Sequence, residues 1–381
     1  MRDGAAEGGV STGTILITGG AGFVGSHLAD ELLDAGYRVR ALDNLGEQVH
    51  GTSISRPAYL HPDVELIRGD VRDPAAVERA VRGVDAVFHF AAAVGVGQSM
   101  YEIERYTDVN NRGTAVLLEA LIKQPVAKLV IASSMSVYGE GLYRTAAGET
   151  VNPPERSLDK LRASDWEPRW NGEALTPVPT PETKPPVASS VYALSKYDQE
   201  RLGLIVGKAY NIPTVALRFF NIYGTRQALS NPYTGVLAIF ASRFLNKRPS
   251  LIFEDGRQRR DFVSVHDIVR ACRLALQKPE ANGQVLNIGS GRSISIAEMA
   301  QEMARAMGID GLDPVITQKY RVGDIRHCYA DVSLAQRVLG YTPRVELSEG
   351  LAELVDWIAG QTAHDHVEAA SAELARRGLA L

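Results

Sequence analysis

The chain has 381 residues, 45% hydrophobic and 23% charged, with a formal net charge of -4. Its length exceeds one minimal core and suggests two domains, or one large α/β domain with a smaller lobe. The acidic balance argues against nucleic acid as a partner, and no apolar run reaches the ~18 residues a membrane helix needs. Two cysteines, Cys272 and Cys328, are too few for a disulfide framework or a zinc cluster, so no metal is expected and the default setting is a reducing cytoplasm.

In chain order, residues 1–13 are glycine-rich and lack an apolar signal core, which reads as a short flexible tail. Residues 14–18 form a β-branched apolar run ending in glycines, the pattern of a buried parallel strand. Residues 23–35 have helical spacing, with Leu28, Leu32 and Leu33 on one face and Gly36 as the stop. Strands are expected at 38–42, 64–68, 86–90 and 128–133, with helices at 75–82 and 107–123 between them. That alternation predicts an α/β, Rossmann-type doubly wound parallel sheet.

Residues 140–186 break the rhythm. They are proline-rich, contain Trp166 and Trp170, and read as an irregular insert over one sheet edge. Regular structure resumes with a helix at 191–210 and a strand at 214–218. Then come a helix at 236–245, a strand pair around 251–263, a helix at 268–277, a strand at 285–288 and a helix at 296–307. The expected organisation is a dinucleotide-binding domain over 14–221 and a smaller, interleaved C-terminal substrate lobe over 222–360, with segments returning to the sheet. Residues 361–381, rich in alanine and charge, read as a peripheral helix or frayed tail.

Gly20-Ala21-Gly22-Phe23-Val24-Gly25 fits the dinucleotide fingerprint, and Gly19 adds a second glycine register. Such glycines permit a tight turn and close approach of a pyrophosphate to a helix N-terminus. Asp43 ends the second strand, where a carboxylate accepts from the ribose hydroxyls. A 2'-phosphate would be repelled there, and neither Asn44 nor Leu45 is cationic, so NAD is favoured over NADP. Asp70, followed by Val71, is placed to cap the adenine.

Tyr192 and Lys196 lie four residues apart, on one helix face. A phenol near pKa ~10 is a poor base at neutral pH. A nearby ammonium and a positive nicotinamide ring would lower it. Tyr192 could then take a proton from a sugar hydroxyl held by Ser134, while Lys196 also bonds the nicotinamide ribose.

These residues resemble the extended short-chain dehydrogenase/reductase family, in its NAD-dependent sugar epimerase/dehydratase branch. The resemblance spans roughly residues 14–360. It rests on Thr18 through Gly25, Gly69-Asp70-Val71, His89-Phe90-Ala91-Ala92, Asn110 ahead of Gly113-Thr114, Ser133 through Gly139, and the Tyr192/Lys196 pair. It implies that Phe90, Ala91, Ala92 and Asn110 line the NAD site. It implies that Ser136, Asn221, Arg260, Arg321 and Asp324 meet a nucleotide-diphosphate sugar. Forked guanidinium donors suit that diphosphate. It also implies a homodimer through the helices at 107–123 and 191–210.

The family's 4,6-dehydratases resemble Ser-Thr-Asp-Glu-Val-Tyr-Gly after the catalytic strand. Here the acid pair is replaced by Met135 and Ser136, neither of which can move that proton. What remains is oxidation at sugar carbon 4, rotation and hydride return: a 4-epimerase. The insert's end at 175–185 and the run 226–236 resemble the dTDP-L-rhamnose 4-epimerase group, and should shape the sugar and base pocket, the insert as a lid. Cys328 falls where a residue gates sugar size in related UDP-galactose 4-epimerases. UDP-hexose or UDP-uronate 4-epimerases, 4-ketoreductases and dehydratases share the scaffold. A catalytically dead NAD-sensing regulator would be expected to lose Tyr192 or Lys196 first, and both are present.

Overall fold

The β-branched runs of the first half carry apolar side chains on both faces, so each strand must be covered from above and below. The computed structural model describes residues 13–380 except 53, 54, 234 and 322. The tail expected at residues 1–12 thus lies outside the described residues. Seven strands form one sheet: β1 (Thr14–Thr18), β2 (Arg38–Asp43), β3 (Glu65–Arg68), β4 (Ala86–His89), β5 (Lys128–Ser134), β6 (Thr214–Phe219) and β7 (Val285–Ile288). Their order is β7-β6-β5-β4-β1-β2-β3, and every pairing is parallel. This is an α/β Rossmann-type sheet. Strand order reverses between β1 and β4, which opens a crevice at their carboxyl ends.

Three helices position the site. α1 (Phe23–Asp34) buries Leu28, Ala29 and Leu32 against the sheet. α2 (Gly113–Lys123) buries Leu117, Leu118 and Leu121 on the opposite face. α3 (Val191–Ala209) starts at Ser190, whose hydroxyl oxygen accepts from the Ala193 amide at 3.1 Å. Around Phe240, Phe244, Met299, Met303 and Leu354 a separate core forms the lobe, built on α4 (Val236–Leu245) and Ile296–Ala306.

Four expectations need revision. The helix expected at 107–123 starts earlier, at Ile103, and passes through a π-helical stretch at Thr107–Arg112 before α2. Such bulges concentrate at functional sites. The insert is more regular than its composition suggests. Leu142–Arg144 pairs antiparallel with Thr176–Val178 and with Thr150–Val151. A hairpin, Arg169–Trp170 with Glu173–Ala174, turns at Asn171 and Gly172, both at positive φ. The strands within 251–263 do not pair with one another: Leu251–Ile252 joins Val315–Ile316, Arg259–Arg260 joins His327–Cys328, and Phe262–Ser264 joins Asn221–Tyr223. Finally, of the two readings of the last segment, helix or frayed tail, the helix holds as α5 (Val367–Arg376), but it is packed, with Ala370 and Leu374 buried.

Candidate active site

A cleft of about 850 Å³ runs from the carboxyl ends of β1 to β5 into the lobe. That volume is near the top of the range for one small-molecule site, as two nucleotides lying end to end would require. At the sheet end the wall is formed by Gly19, Gly22, Phe23, Val24 and Gly25, by Asp43 and Asn44, by Asp70 and Val71, and by Phe90, Ala91 and Ala92. No side chain caps the first turn of α1, so its leading N–H groups remain available to an anion. Gly25 has no room to be anything else: a Cβ there would sit 2.2 Å from the Gly19 carbonyl oxygen.

Asp43 is buried. Its Oδ2 accepts from the Ala21 amide at 3.0 Å and its Oδ1 from Leu45 at 2.9 Å. One carboxylate thus holds the glycine turn, with lone pairs left for ribose hydroxyls. Arg72 lines the same end but is committed, forking onto Asp70 at 2.8–2.9 Å and reaching Asp108 at 2.6 Å. The guanidinium holds Asp70 down at about 2. Arg105 is likewise spent on Glu102 and Gln48, so among the described residues no free cation offers itself to a 2'-phosphate on this wall, and the cradle fits NAD.

At the centre of the cleft stand Ser134, Ser136, Tyr192 and Lys196. Ser134 ends β5, and its Oγ lies 2.8 Å from that of Ser136. Tyr192 sits in the first turn of α3, its amide donating to Ser99 Oγ at 3.0 Å and its ring edge-on to Tyr106. Burial raises the Tyr192 phenol, while a hydrogen bond with Ser134 pulls it down. Burial also drives Lys196 to about 7, against the raising effect of Glu200. From the protein's own groups the net shift of the phenol is thus upward. Lys196 Nζ instead donates to Gln199 Oε1 at 2.6 Å.

Gln199 was not legible as a site residue. Its Nε2 donates to Thr114 Oγ1 at 2.8 Å, and Thr114 lies 2.9 Å from His89 Nε2. His89 continues to Thr18 Oγ1 at 2.8 Å. Burial holds the imidazole near 3, hence neutral. This chain of polar groups locks Lys196 to the end of β1. Asn110 is likewise a brace and not part of the wall. It is fully buried, with Oδ1 accepting from the Ala93 amide at 2.7 Å and Nδ2 donating to Ala93 O at 3.1 Å and Ser195 Oγ at 2.9 Å. The π-helical stretch turns it inward to make those bonds.

In the lobe half, Asn221, Arg260, Arg321 and Asp324 all line the cleft. Arg321 Nε donates to Asp324 at 2.8 Å, and its guanidinium stacks 4.7 Å over Phe253, leaving its terminal nitrogens uncommitted to Asp324. Arg260 is more constrained, donating to the carbonyls of Arg259, Ile325 and Arg326. The Asn221, Gln227 and Gln258 side-chain oxygens are buried in this wall without hydrogen-bond partners among the described residues. Buried acceptors of that kind are costly unless a ligand donates to them.

Two expectations fail here. Cys328 is 1% exposed, packs in the main core against Thr180, and does not reach the cleft, so it cannot gate sugar size. No residue of 140–186 lines the cleft either. The insert is bound to the rear of the lobe through buried ion pairs, such as Arg156 with Glu254 at 2.8 Å and Arg326 with Glu167. It is a buttress and not a lid. The run 226–236, by contrast, contributes Gln227, Asn231, Tyr233 and Val236 to the wall.

The parallel sheet, the glycine turn and the Ser134–Tyr192–Lys196 group define a dinucleotide-dependent enzyme of the short-chain dehydrogenase/reductase class. The chain belongs to the NAD dependent epimerase/dehydratase family, whose sequence profile matches residues 15–158 and 171–289; its cofactor is NAD. It is 35% identical over 349 residues to the dTDP-L-rhamnose 4-epimerase of Burkholderia thailandensis, covering 91% of this chain and 94% of that one. Among solved structures it resembles Thermotoga maritima UDP-glucose 4-epimerase with UDP-glucose (TM-score 0.73, 32% identity, covering 91% of this chain and 98% of that one). It also resembles Thermus thermophilus UDP-glucose 4-epimerase in complex with NAD (TM-score 0.72, 30% identity, covering 92% and 100%). The chain is thus of the nucleotide-sugar 4-epimerase kind.

Proposed function

We propose that the protein converts dTDP-L-rhamnose to dTDP-6-deoxy-L-talose by inverting sugar carbon 4. The observation that carries the reaction type is the absence of a carboxylate beside Ser134. The two following positions are Met135, buried, and Ser136, whose hydroxyl bonds Ser134. The carboxylates of the wall lie instead on the β2–β3 side, at Asp43, Glu47 and Asp70, or in the Arg321 ion pair, at Asp324. Among the described residues no carboxylate stands beside Ser134 to move the protons that loss of water requires. The substrate choice rests on the Burkholderia relative and on the part of 226–236 that forms the wall.

In this reading Ser134 holds the carbon 4 hydroxyl and Tyr192 removes its proton. NAD, when bound, would supply the hydride acceptor for carbon 4 and the hydride donor for the 4-keto sugar. An ammonium at Lys196, whose pKa burial brings down to about 7, favours the phenolate form of Tyr192 that takes the hydroxyl proton. Arg321, with the free Nε of Arg260, meets the diphosphate, and Asn221 receives a sugar hydroxyl.

The test is incubation with dTDP-L-rhamnose in heavy water without added NAD, followed by proton NMR. A 6-deoxy-talose signal set free of deuterium is expected. Turnover of UDP-galactose or UDP-glucuronate alone would keep the reaction and overturn the substrate. Deuterium beside the carbonyl would mean enolisation and would remove the 4-epimerase reading.

We also infer a homodimer through α2 and α3 in a reducing cytoplasm. Leu194 and Ile205 of α3 are exposed in the single chain, and both cysteines are buried and unpaired. Light scattering should give about twice the 41.3 kDa chain mass; a single-chain mass at micromolar concentration would reject the dimer. Among the described residues no helix is long and apolar enough to cross a membrane.

A further inference from the structure

We propose that residues 363–380 form a strap that closes the cleft over the nucleotide sugar and sets its affinity. The proposal rests on the functional reading above.

The segment is fixed at its root to the lobe. Asp365 and Arg243 are each 3% exposed and pair at 3.1 Å. Asn246 Nδ2 donates to the Ala363 carbonyl at 2.9 Å, and the His364 amide donates to Ser230 Oγ at 3.0 Å. A peripheral tail would not bury a charge pair, because desolvating two ions needs a fixed geometry to repay it.

At its tip the segment crosses to the other side of the cleft. The Arg377 guanidinium lies 4.4 Å over the Tyr101 ring, and Tyr101 shares a 2.6 Å hydrogen bond with Tyr233. Ala380 bridges Arg321, the residue offered to the diphosphate. Leu374 abuts Gly97, close enough that a Cβ on that glycine would lie 3.4 Å away. The strap therefore joins the lobe, the dinucleotide domain and the Arg321 loop.

Between root and tip, α5 turns Val367, Ala370, Ser371 and Leu374 into the cleft. The spacing i, i+3, i+4, i+7 is one helix face. Among the described residues, none of these four joins a hydrophobic core. The apolar face thus covers the cleft. It carries one hydroxyl and no charge, which suits a neutral deoxy sugar or a nucleoside better than a uronate.

Calorimetric titration and steady-state kinetics on the full-length protein test this, with dTDP-L-rhamnose and UDP-glucose as probes. Leu374→Arg is expected to weaken binding of the accepted nucleotide sugar about tenfold or more. KM should rise in step while kcat stays within about threefold and bound NAD is retained. A chain ended after Glu368 keeps the Asp365–Arg243 pair and should behave alike, so misfolding of one variant does not decide the matter. Full-length binding with unchanged Kd and KM in both variants overturns the strap and leaves the functional reading standing. If the full-length protein binds neither probe, the functional reading fails and the strap falls with it.

Discussion

Tyr192→Phe is expected to lower kcat by about 10²- to 10⁴-fold, the range that positioned acid–base groups contribute. KM for the nucleotide sugar should move little, because the lost oxygen acts on the reacting hydroxyl and not on the diphosphate. The fold should tolerate the change. The phenyl ring keeps its edge contact with Tyr106, 6.4 Å between centroids, and the Tyr192 amide still donates to Ser99. Bound NAD should be retained, since the glycine turn and Asp43 are untouched. Ser134→Ala should cost less: it removes the bond that pulls the Tyr192 phenol down but leaves the base in place. Comparison of kcat for the two variants, with NAD content measured by absorbance, checks the assignment. A Tyr192→Phe enzyme within threefold of the parent would mean that the proton leaves by another route and that Tyr192 is a wall residue only.

The core of that site could be read before the fold was known, for local reasons. A β-branched run, a glycine turn and a helix follow one another within a few residues, and Tyr192 and Lys196 share a face because a helix brings i and i+4 together. What could not be read depends on contacts across the chain. The family resemblance implies Asn110 in the NAD wall, but the π-helical stretch at Thr107–Arg112, which leaves no mark on the apolar pattern, makes it a brace for Ala93 and Ser195. Gln199 had no signal, because its meaning lies in Thr114 and His89, far away in sequence. Val367, Ala370, Ser371 and Leu374 stand at helical spacing in the sequence. Spacing alone does not say which surface a stripe covers, and the segment passed as peripheral. The insert failed for the converse reason. Its length and its position just before α3 suggest a lid, but its charges find partners in the rear of the lobe.

Those charges carry the largest expected loss of stability. Arg326→Met should destabilise the protein by about 3–5 kcal/mol, the cost of removing one partner from a buried ion pair. Arg326 is fully buried and spends its guanidinium on Glu167, on Glu254 at 2.9 Å and on Asp255 at 2.6 and 3.0 Å. Methionine fills much of the space but leaves those carboxylates facing each other, with Arg156 still paired to Glu254. The loss should depend on pH in a definite direction. Burial alone would raise Glu167, but its bonds to His327 and Arg326 prevail and hold it at about 2. In the parent this carboxylate therefore contributes stability that is present above its unfolded pKa of roughly 4.3 and lost as the pH falls through about 2. In Arg326→Met the acids lose their partner and rise, so the folded state binds protons that the unfolded chain has released. Lowering the pH from 7 to 5 should then narrow the gap between variant and parent. Urea melts at both pH values measure it. Because Arg156 also donates to the Asp324 carbonyl at 2.8 Å, loosening this network should raise KM for the nucleotide sugar as well. A gap under about 1 kcal/mol at pH 7, or one that widens at pH 5, would show that the insert is held by its apolar contacts at Leu161, Trp166 and Tyr320 and not by its charges.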